Sequence, residues 1–168
     1  MDIPGNIRRA LAAASLAIAP ALAAAQDAYV VGVSAAMTGP SSSTYAPVIE
    51  AMRAYVEQLN GRGGVNGKPV RMVVLDDQGE PSRAAANAKR LLGDNVLLLV
   101  NSSLSSTYAP MVAESKRARV PLFYAGAVCP REVYPPADPL QFCSTAFGAG
   151  YDSQFGMEFI KGFAKEPA

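Results

Sequence analysis

The 168-residue chain contains no histidine. This absence excludes a Ser-His-Asp triad, zinc sites that use histidine, and proton shuttles through imidazole. The sequence also has no Gly-x-Ser-x-Gly elbow, no Ser-x-x-Lys motif and no glycine-rich phosphate loop that ends in Lys-Ser or Lys-Thr. We therefore do not expect an enzyme, and the sequence indicates no cofactor.

Long apolar runs are missing except near the N-terminus. There Arg8 and Arg9 precede an apolar stretch at 10–21, which ends close to Ala23-Ala24-Ala25. This pattern predicts a secretory signal peptide at 1–25, and the apolar stretch is shorter than the roughly 18 residues of a membrane-spanning helix. We expect an exported chain without stable membrane insertion; an uncleaved N-terminal anchor is the alternative.

An excess of one charge is also missing. The chain has 15 basic and 14 acidic residues, and loss of Arg8, Arg9 and Asp2 with the signal peptide leaves 13 of each. A neutral chain without a basic stripe has no electrostatic footprint for nucleic acid and no polybasic patch for a membrane surface. Small molecules or other proteins are the expected partners.

Cysteine is scarce, because only Cys129 and Cys143 occur, both in a proline-rich stretch. Two cysteines are too few for a structural zinc site, which usually has four ligands. In an exported chain they predict a disulfide that closes a loop of about 15 residues and stabilises the fold by about 3 kcal/mol. Two separate buried thiols are the alternative.

What the chain does contain is an alternation of strand-like and helix-like apolar patterns. The patterns predict four strands, at 29–34, 70–75, 96–100 and 120–124. Helices are expected after the first three strands, with apolar positions at Val48, Met52, Tyr55, Val56 and Leu59 in the first of them. This order predicts an α/β fold, a right-handed doubly wound parallel sheet with helices on both faces.

The pentapeptide Ser-Thr-Tyr-Ala-Pro occurs twice, at 43–47 and 106–110, each time after an apolar run and before a helical pattern. Strand-to-helix turns of a parallel sheet lie at the carboxyl ends of the strands. There, hydroxyls and unpaired helix N–H groups suit a carboxylate or a phosphate. The alternative interpretation is helix capping alone, since Ser, Thr and Pro all favour a first turn.

Several further motifs, taken together, resemble one known family. They are Met37-Thr38-Gly39-Pro40, Leu59-Asn60-Gly61-Arg62-Gly63-Gly64-Val65-Asn66-Gly67, Leu75-Asp76-Asp77, the serine-rich loop 102–107, and the strand 120–124 with Ala125-Gly126-Ala127 after it. Over residues 29–163 the chain is similar to the type I periplasmic solute-binding proteins of ABC transporters, of the branched-chain amino acid binding type.

The resemblance implies a substrate-binding component that captures a small carboxylate- or amide-bearing solute in the periplasm. The solute would be an amino acid or an aromatic or other organic acid, delivered to an ABC transporter permease. A periplasmic ligand sensor of the same fold is one alternative. An exported hydrolase that acts through Ser105 or Asp76 is another.

The resemblance also implies which residues contact the ligand. Those residues are Ser105, Ser106, Gly126, Ala127, Val128 and Tyr45. The Ser105 hydroxyl would bind a ligand carboxylate, and residues 126–127 would offer main-chain groups, whereas Val128 replaces a hydroxyl-bearing residue of the family. The alternatives are capping for Ser105 and ordinary packing for Tyr45. Asp76 and Asp77 are expected to be solvated or to cap a turn.

The expected domain organisation is a signal peptide at 1–25, an N-terminal ligand-binding lobe at 26–140, and a hinge crossover with the first helix of a second lobe at 141–168. Members of the resembled family have two lobes, so most of the second lobe is expected to be missing here. A lobe alone would form half of a pocket. We therefore expect either a fragment or a truncated gene product.

Overall fold

A computed structural model describes residues 28–126, 128–144, 157–158 and 160–162 of the chain. Within them strands and helices alternate as predicted. In chain order the elements are β1 (Tyr29–Ala35), α1 (Ser42–Gly61), β2 (Val70–Asp76), α2 (Pro81–Gly93), β3 (Leu98–Ser102), α3 (Tyr108–Ala118), β4 (Leu122–Tyr124) and β5 (Gln141–Cys143). Short 3-10 turns at Ser105–Thr107 and Arg131–Val133 precede α3 and β5. The predicted signal peptide lies outside the described residues.

The five strands form one sheet in the order β2-β1-β3-β4-β5, and every neighbouring pair is parallel. The chain passes from β1 outward to β2, then crosses β1 to reach β3 on its other side. The strand order therefore changes direction between β1 and β3. Loops that leave two strands at such a point diverge and open a crevice at the carboxyl edge of the sheet.

Helices cover both faces of the sheet, which confirms the doubly wound architecture. On one face Ile49 of α1 packs with Val33, Ala35 and Val100 from the central strands. On the other face α2 and α3 pack against the strands, and the fully buried members of this second cluster are Ala84, Ala88, Leu91, Leu99, Met111, Leu122 and Tyr124. Burial of these apolar side chains is the main source of stability of the lobe.

Only part of the apolar stripe along α1 is buried. Tyr45 and Ile49 are buried, whereas Val48 and Tyr55 are 36% and 64% exposed. Both exposed residues belong to the stripe that the sequence predicts for this helix. Only one flank of α1 lies against the sheet, so the rest of the stripe remains in contact with solvent.

Two strands begin later than predicted, and local backbone geometry explains each shift. Val96 lies in the core beside α2 and not in β3, because Asn95 turns the chain with a φ of 53° before the strand begins at Leu98. Arg119 ends α3 with a φ of 56°. Residue 120 then donates its N–H to the Ser115 carbonyl, so β4 cannot begin before that turn is complete.

The glycine-rich segment between α1 and β2 is a tight connection whose length is set by specific contacts. The Asn60 side chain pairs with Val70 through both its amide groups, since Nδ2 donates to the Val70 carbonyl and Oδ1 accepts from the Val70 N–H, each at 2.8 Å. Gly64 has a φ of +72°, and a Cβ there would collide with the Lys68 carbonyl. This motif therefore holds the end of α1 against the first residue of β2.

A disulfide joins Cys129 to Cys143 with a Cα–Cα distance of 5.8 Å, which confirms the predicted pairing. It ties the loop after β4 to the end of β5. Within the segment 141–168, where a hinge crossover and a helix are predicted, Gln141–Cys143 is a strand and residues 157–158 and 160–162 are helical. Most of the remainder of this segment lies outside the described residues. Among all described residues, no helix has the length and apolarity needed to cross a bilayer.

Candidate ligand-binding site

Four loops meet at the carboxyl edge of the sheet and form what we call the crevice. They are residues 36–41 after β1, 77–80 after β2, 103–107 after β3 and 125–128 after β4. The loops after β1 and β3 flank the point where the strand order reverses. The two Ser-Thr-Tyr-Ala-Pro segments lie here, as predicted, one in the first turns of α1 and the other across the start of α3.

Ser105 and Ser106 are exposed at this edge, in the 3-10 turn that leads directly into α3. No partner for either hydroxyl is found among the described residues. Neither the 3-10 turn nor α3 has a side-chain cap, so capping by Ser105 is not observed. N–H groups at the start of a helix have no intrahelical acceptor and carry partial positive charge. The turn therefore offers hydroxyl and backbone donors together.

Asn101 at the end of β3 gives this serine-rich loop its shape. The buried side chain donates from Nδ2 to the Thr107 hydroxyl at 2.8 Å and accepts at Oδ1 from the Ser103 N–H at 3.1 Å. The Thr107 hydroxyl in turn donates to the Leu104 carbonyl at 2.7 Å. Because both ends of the loop are bonded to one buried amide, Ser105 and Ser106 are held in place without any ligand.

Asp77 is a buried junction between the end of β1 and the loops after β2 and β3. Its carboxylate accepts hydrogen bonds from the Ser34 hydroxyl at 2.7 Å, the Ser103 hydroxyl at 2.6 Å and the Gly79 N–H at 2.8 Å. The side chain is fully buried, so of the two expectations for Asp77 solvation is wrong, whereas capping of a turn is observed in the bond from the Gly79 N–H. Burial is possible because these donors replace the hydration of the charge. Sequence reasoning missed this role, although the paired aspartates at a strand end were a visible signal.

Asp76 fixes the loop after β1. It accepts from the backbone N–H groups of Met37 at 3.0 Å and Gln78 at 3.0 Å, and from both the N–H and the hydroxyl of Thr38. Burial by itself would raise the pKa of this carboxyl, but the Thr38 hydroxyl and the three backbone donors outweigh it. The pKa of Asp76 consequently lies below its ordinary value.

The lowered pKa of Asp76 predicts a loss of stability in acid. A carboxyl whose pKa is lower in the folded chain stabilises that chain above the unfolded-state pKa, and the contribution is lost as the pH falls through the folded-state value. We expect the thermal midpoint of the wild-type chain to decline below about pH 4. Replacement by Asp76→Asn should make this acid decline shallower. An identical decline in the variant would contradict the assignment.

The two pentapeptides bring their tyrosines into the same region. Tyr45 and Tyr108 are 8% and 6% exposed. Burial raises the pKa of the Tyr45 hydroxyl, with a further contribution from the Asp77 charge. Burial likewise raises the pKa of the Tyr108 hydroxyl, with a further contribution from Tyr45. Tyr45 is thus at the crevice but mostly covered.

The loop after β4 completes the crevice. Gly126 is buried, and Val128 is half-buried with its carbonyl accepting from the Tyr108 hydroxyl at 3.0 Å. Ala127 lies outside the described residues. The structure therefore places five of the six predicted ligand contacts at one edge of the sheet. The contributions of Asn101, Asp77 and Tyr108 to this arrangement were not predicted. Asp77 and Tyr108 depend on partners distant in sequence, whereas the partners of Asn101 lie within its own loop.

The chain is similar in sequence to one protein family and to several known proteins. A sequence model of the family described as Periplasmic binding protein matches residues 28–159. The Leu/Ile/Val-binding protein BraC3 of Rhizobium johnstonii is 33% identical over 98 residues, which are 58% of this chain and 26% of that protein. Leu/Ile/Val-binding protein homolog 4 of Brucella abortus is 28% identical over 117 residues, which are 70% of this chain and 28% of the relative.

Solved structures of other proteins have a fold similar to that of this chain. LivJ of Streptococcus pneumoniae, a branched-chain amino acid transporter substrate-binding protein in complex with isoleucine, matches with a TM-score of 0.65 and 24% identity over 72% of this chain. A solute-binding protein of an ABC transporter from Rhodopseudomonas palustris, in complex with 3,4-dihydroxy benzoic acid, matches with a TM-score of 0.63 and 21% identity over 73% of this chain.

The matches cover only part of each relative. This chain corresponds to 26% and 28% of the two curated relatives, and to 34% and 33% of the two solved chains. The family match nevertheless includes all the elements from β1 to β5. By sequence and by fold, as the resemblance implied, the chain belongs to the periplasmic binding protein family.

Proposed function

We propose that this protein is the substrate-binding component of an ABC transporter, which captures a small carboxylate-bearing solute in the periplasm and delivers it to a permease. Membership of a family of solute-binding proteins supports the proposal. The predicted signal peptide supports export. The disulfide between Cys129 and Cys143 fits an oxidising compartment such as the periplasm.

The observation that carries the proposal is the pair of free serine hydroxyls at the start of α3. Ser105 and Ser106 are exposed and have no partner among the described residues, in a loop that Asn101 and Asp77 already hold in shape. A carboxylate at this position would accept from the hydroxyls and from the unpaired N–H groups, and the helix dipole would favour its charge. Little ordering would be needed on binding, which favours affinity.

The remaining contacts are those that the resemblance to the family implies. We assign main-chain contacts to Gly126 and Ala127, a side-chain contact to Tyr45, and an apolar contact to Val128. The Val128 carbonyl is already bonded to Tyr108, and its side chain has no hydroxyl. The loop after β4 would thus give a ligand fewer polar contacts than the serine turn does. This supports an amino acid or an aromatic or other organic acid whose carboxylate lies against α3.

Binding without turnover is part of the proposal. Asp77 lies in the loop after β2 and Asp76 directly precedes it, and both carboxylates are engaged by several donors. A carboxylate that accepts several hydrogen bonds is a poor general base, because those bonds favour its charged form over the protonated one. We therefore assign both residues to the support of the loops and not to a reaction.

Replacement of Ser105 by alanine is expected to weaken ligand binding by about 1 to 3 kcal/mol, because a charged acceptor would lose one donor. The measurement is calorimetric titration of the intact protein with L-isoleucine and with 3,4-dihydroxybenzoate, the ligands of two structurally similar proteins. Ser82→Ala is the matched control, since Ser82 is an exposed serine in the first turn of α2, beyond β2.

Each outcome of this titration has a separate meaning. An unchanged affinity in Ser105→Ala would remove Ser105 from the site. An equal loss in Ser105→Ala and Ser82→Ala would indicate a general effect of the substitution and not a contact. If the wild-type protein bound neither acid, nor leucine nor valine, the proposed ligand class would be wrong.

A further inference from the structure

Tyr108 connects two of the crevice loops. It is the first residue of α3, directly after the serine turn, and its ring packs against Tyr124 of β4 with a centroid distance of 4.8 Å. Its hydroxyl extends past that ring and donates to the Val128 carbonyl at 3.0 Å. One side chain at the start of a helix is thus bonded to the loop that follows the neighbouring strand.

The main chain at Gly126 also lies close to the Tyr108 hydroxyl, which is a second and independent observation. A Cβ at this position would lie 2.6 Å from Tyr108 Oη and 3.2 Å from the Ser103 carbonyl oxygen. The φ of Gly126 is not in the left-handed region, so glycine is required here by close approach and not by backbone conformation. The main chain of the loop after β4 is therefore pressed against Tyr108 on one side and bonded to it two residues later.

We infer that Tyr108 is a positioning residue of the crevice, whose hydroxyl sets the main chain at Gly126 and Val128 relative to the serine turn at the start of its own helix. The inference rests on the function proposed above. Ser105 and Ser106 precede Tyr108 by three and two residues on one continuous helical segment. This helical segment carries the Ser105 and Ser106 hydroxyls at its start and holds the loop after β4 through Tyr108. It therefore keeps the proposed ligand contacts of the serine turn and those of the loop after β4 at a constant separation.

The direct test is Tyr108→Phe, which keeps the ring contact with Tyr124 and removes one hydroxyl. Tyr124→Phe is the matched control, because it also removes one tyrosine hydroxyl, which donates a buried bond of 2.6 Å to Gln141 Oε1, away from the crevice loops. Both variants should unfold at similarly reduced denaturant concentrations. Only Tyr108→Phe should weaken binding of L-isoleucine or 3,4-dihydroxybenzoate, by about tenfold, and shift the amide resonances of Gly126 and the carbonyl resonance of Val128.

A second test needs no ligand. In Tyr108→Phe the hydroxyl is gone, and the nearest remaining atom of residue 108 to a Cβ at position 126 is Cζ at 3.7 Å. Gly126→Ala should therefore destabilise the wild-type protein clearly more than it destabilises Tyr108→Phe. The double-mutant cycle compares the unfolding midpoints of the four proteins. Equal effects of Gly126→Ala in both backgrounds would overturn the inference.

The two tests separate this inference from the proposed function. If neither acid binds the wild-type protein, the proposed ligand class fails, while the resonances of residues 126 and 128 and the cycle still decide whether Tyr108 positions the loop. If an acid binds and Tyr108→Phe binds it as the wild type does, with resonances at residues 126 and 128 unmoved, Tyr108 has no positioning role.

Discussion

Replacement of Asp77 by alanine is expected to lower the free energy of unfolding by about 3 kcal/mol. The substitution leaves the hydroxyls of Ser34 and Ser103 and the N–H of Gly79 without their shared acceptor, in a region where Asp77 is fully buried. A buried donor that loses its acceptor cannot form a hydrogen bond with water instead, so each such donor lowers the free energy of unfolding. The loss should also loosen the crevice, because Ser103 begins the serine-rich loop.

Denaturant unfolding of the wild type, Asp77→Ala and Asp77→Asn measures the effect. The asparagine variant keeps the shape and one accepting oxygen, so its loss should be smaller, at about 1 kcal/mol. Asp94→Ala is the control, since it removes the same side chain at an exposed position after α2 and should change stability by less than about 0.5 kcal/mol. If Asp77→Ala were as mild as Asp94→Ala, the buried junction would have no energetic role.

Loss of the disulfide is expected to cost about 3 kcal/mol, the chain-entropy estimate for a cross-link between residues 14 apart in sequence. Cys129 lies in the loop that follows β4, directly after Val128, and Cys143 is the last residue of β5. The cross-link restricts the unfolded chain. In the folded chain it anchors the far end of the loop that provides Gly126 and Val128.

The comparison is between oxidised wild type, wild type with reductant, and the double variant Cys129→Ala/Cys143→Ala. Reductant should move the unfolding midpoint of the wild type toward that of the double variant and should leave the double variant unchanged. This second condition is the internal control. Identical midpoints for the oxidised wild type and the double variant would show that the disulfide contributes nothing to stability.

Both predictions concern the same edge of the sheet. Asp77 ties the end of β1 to the loops after β2 and β3, Asp76 holds the loop after β1, and the disulfide anchors the loop after β4. All four loops of the crevice are therefore held by bonds that do not involve Ser105 or Ser106. Such preorganisation leaves those hydroxyls free for a ligand, and it lowers the entropy cost of binding.

The sequence by itself determined the order of the elements. Apolar residues that recur every second position in strands, or every third to fourth position in helices, form local patterns. These patterns correctly predicted strands at 29–34 and 70–75 and a helix after each of the first three strands. It also determined the disulfide partners, since only two cysteines exist, and the family, whose motifs are continuous segments. Boundaries were less accurate at Val96 and Val120, where a single turn residue decides where a strand begins.

Only the tertiary structure decided how these segments cooperate. The bonds of Asp77 to Ser34 and Ser103 span 43 and 26 residues, and the bond of Tyr108 to Val128 spans 20. No local pattern encodes such pairs, because they exist only after the order β2-β1-β3-β4-β5 has brought the strand ends together. Asp77 caps a turn, as one of the two expectations had it, but only the fold shows that it is buried and also joins β1 to the serine-rich loop. Hydration of a charge can be replaced only where several donors converge.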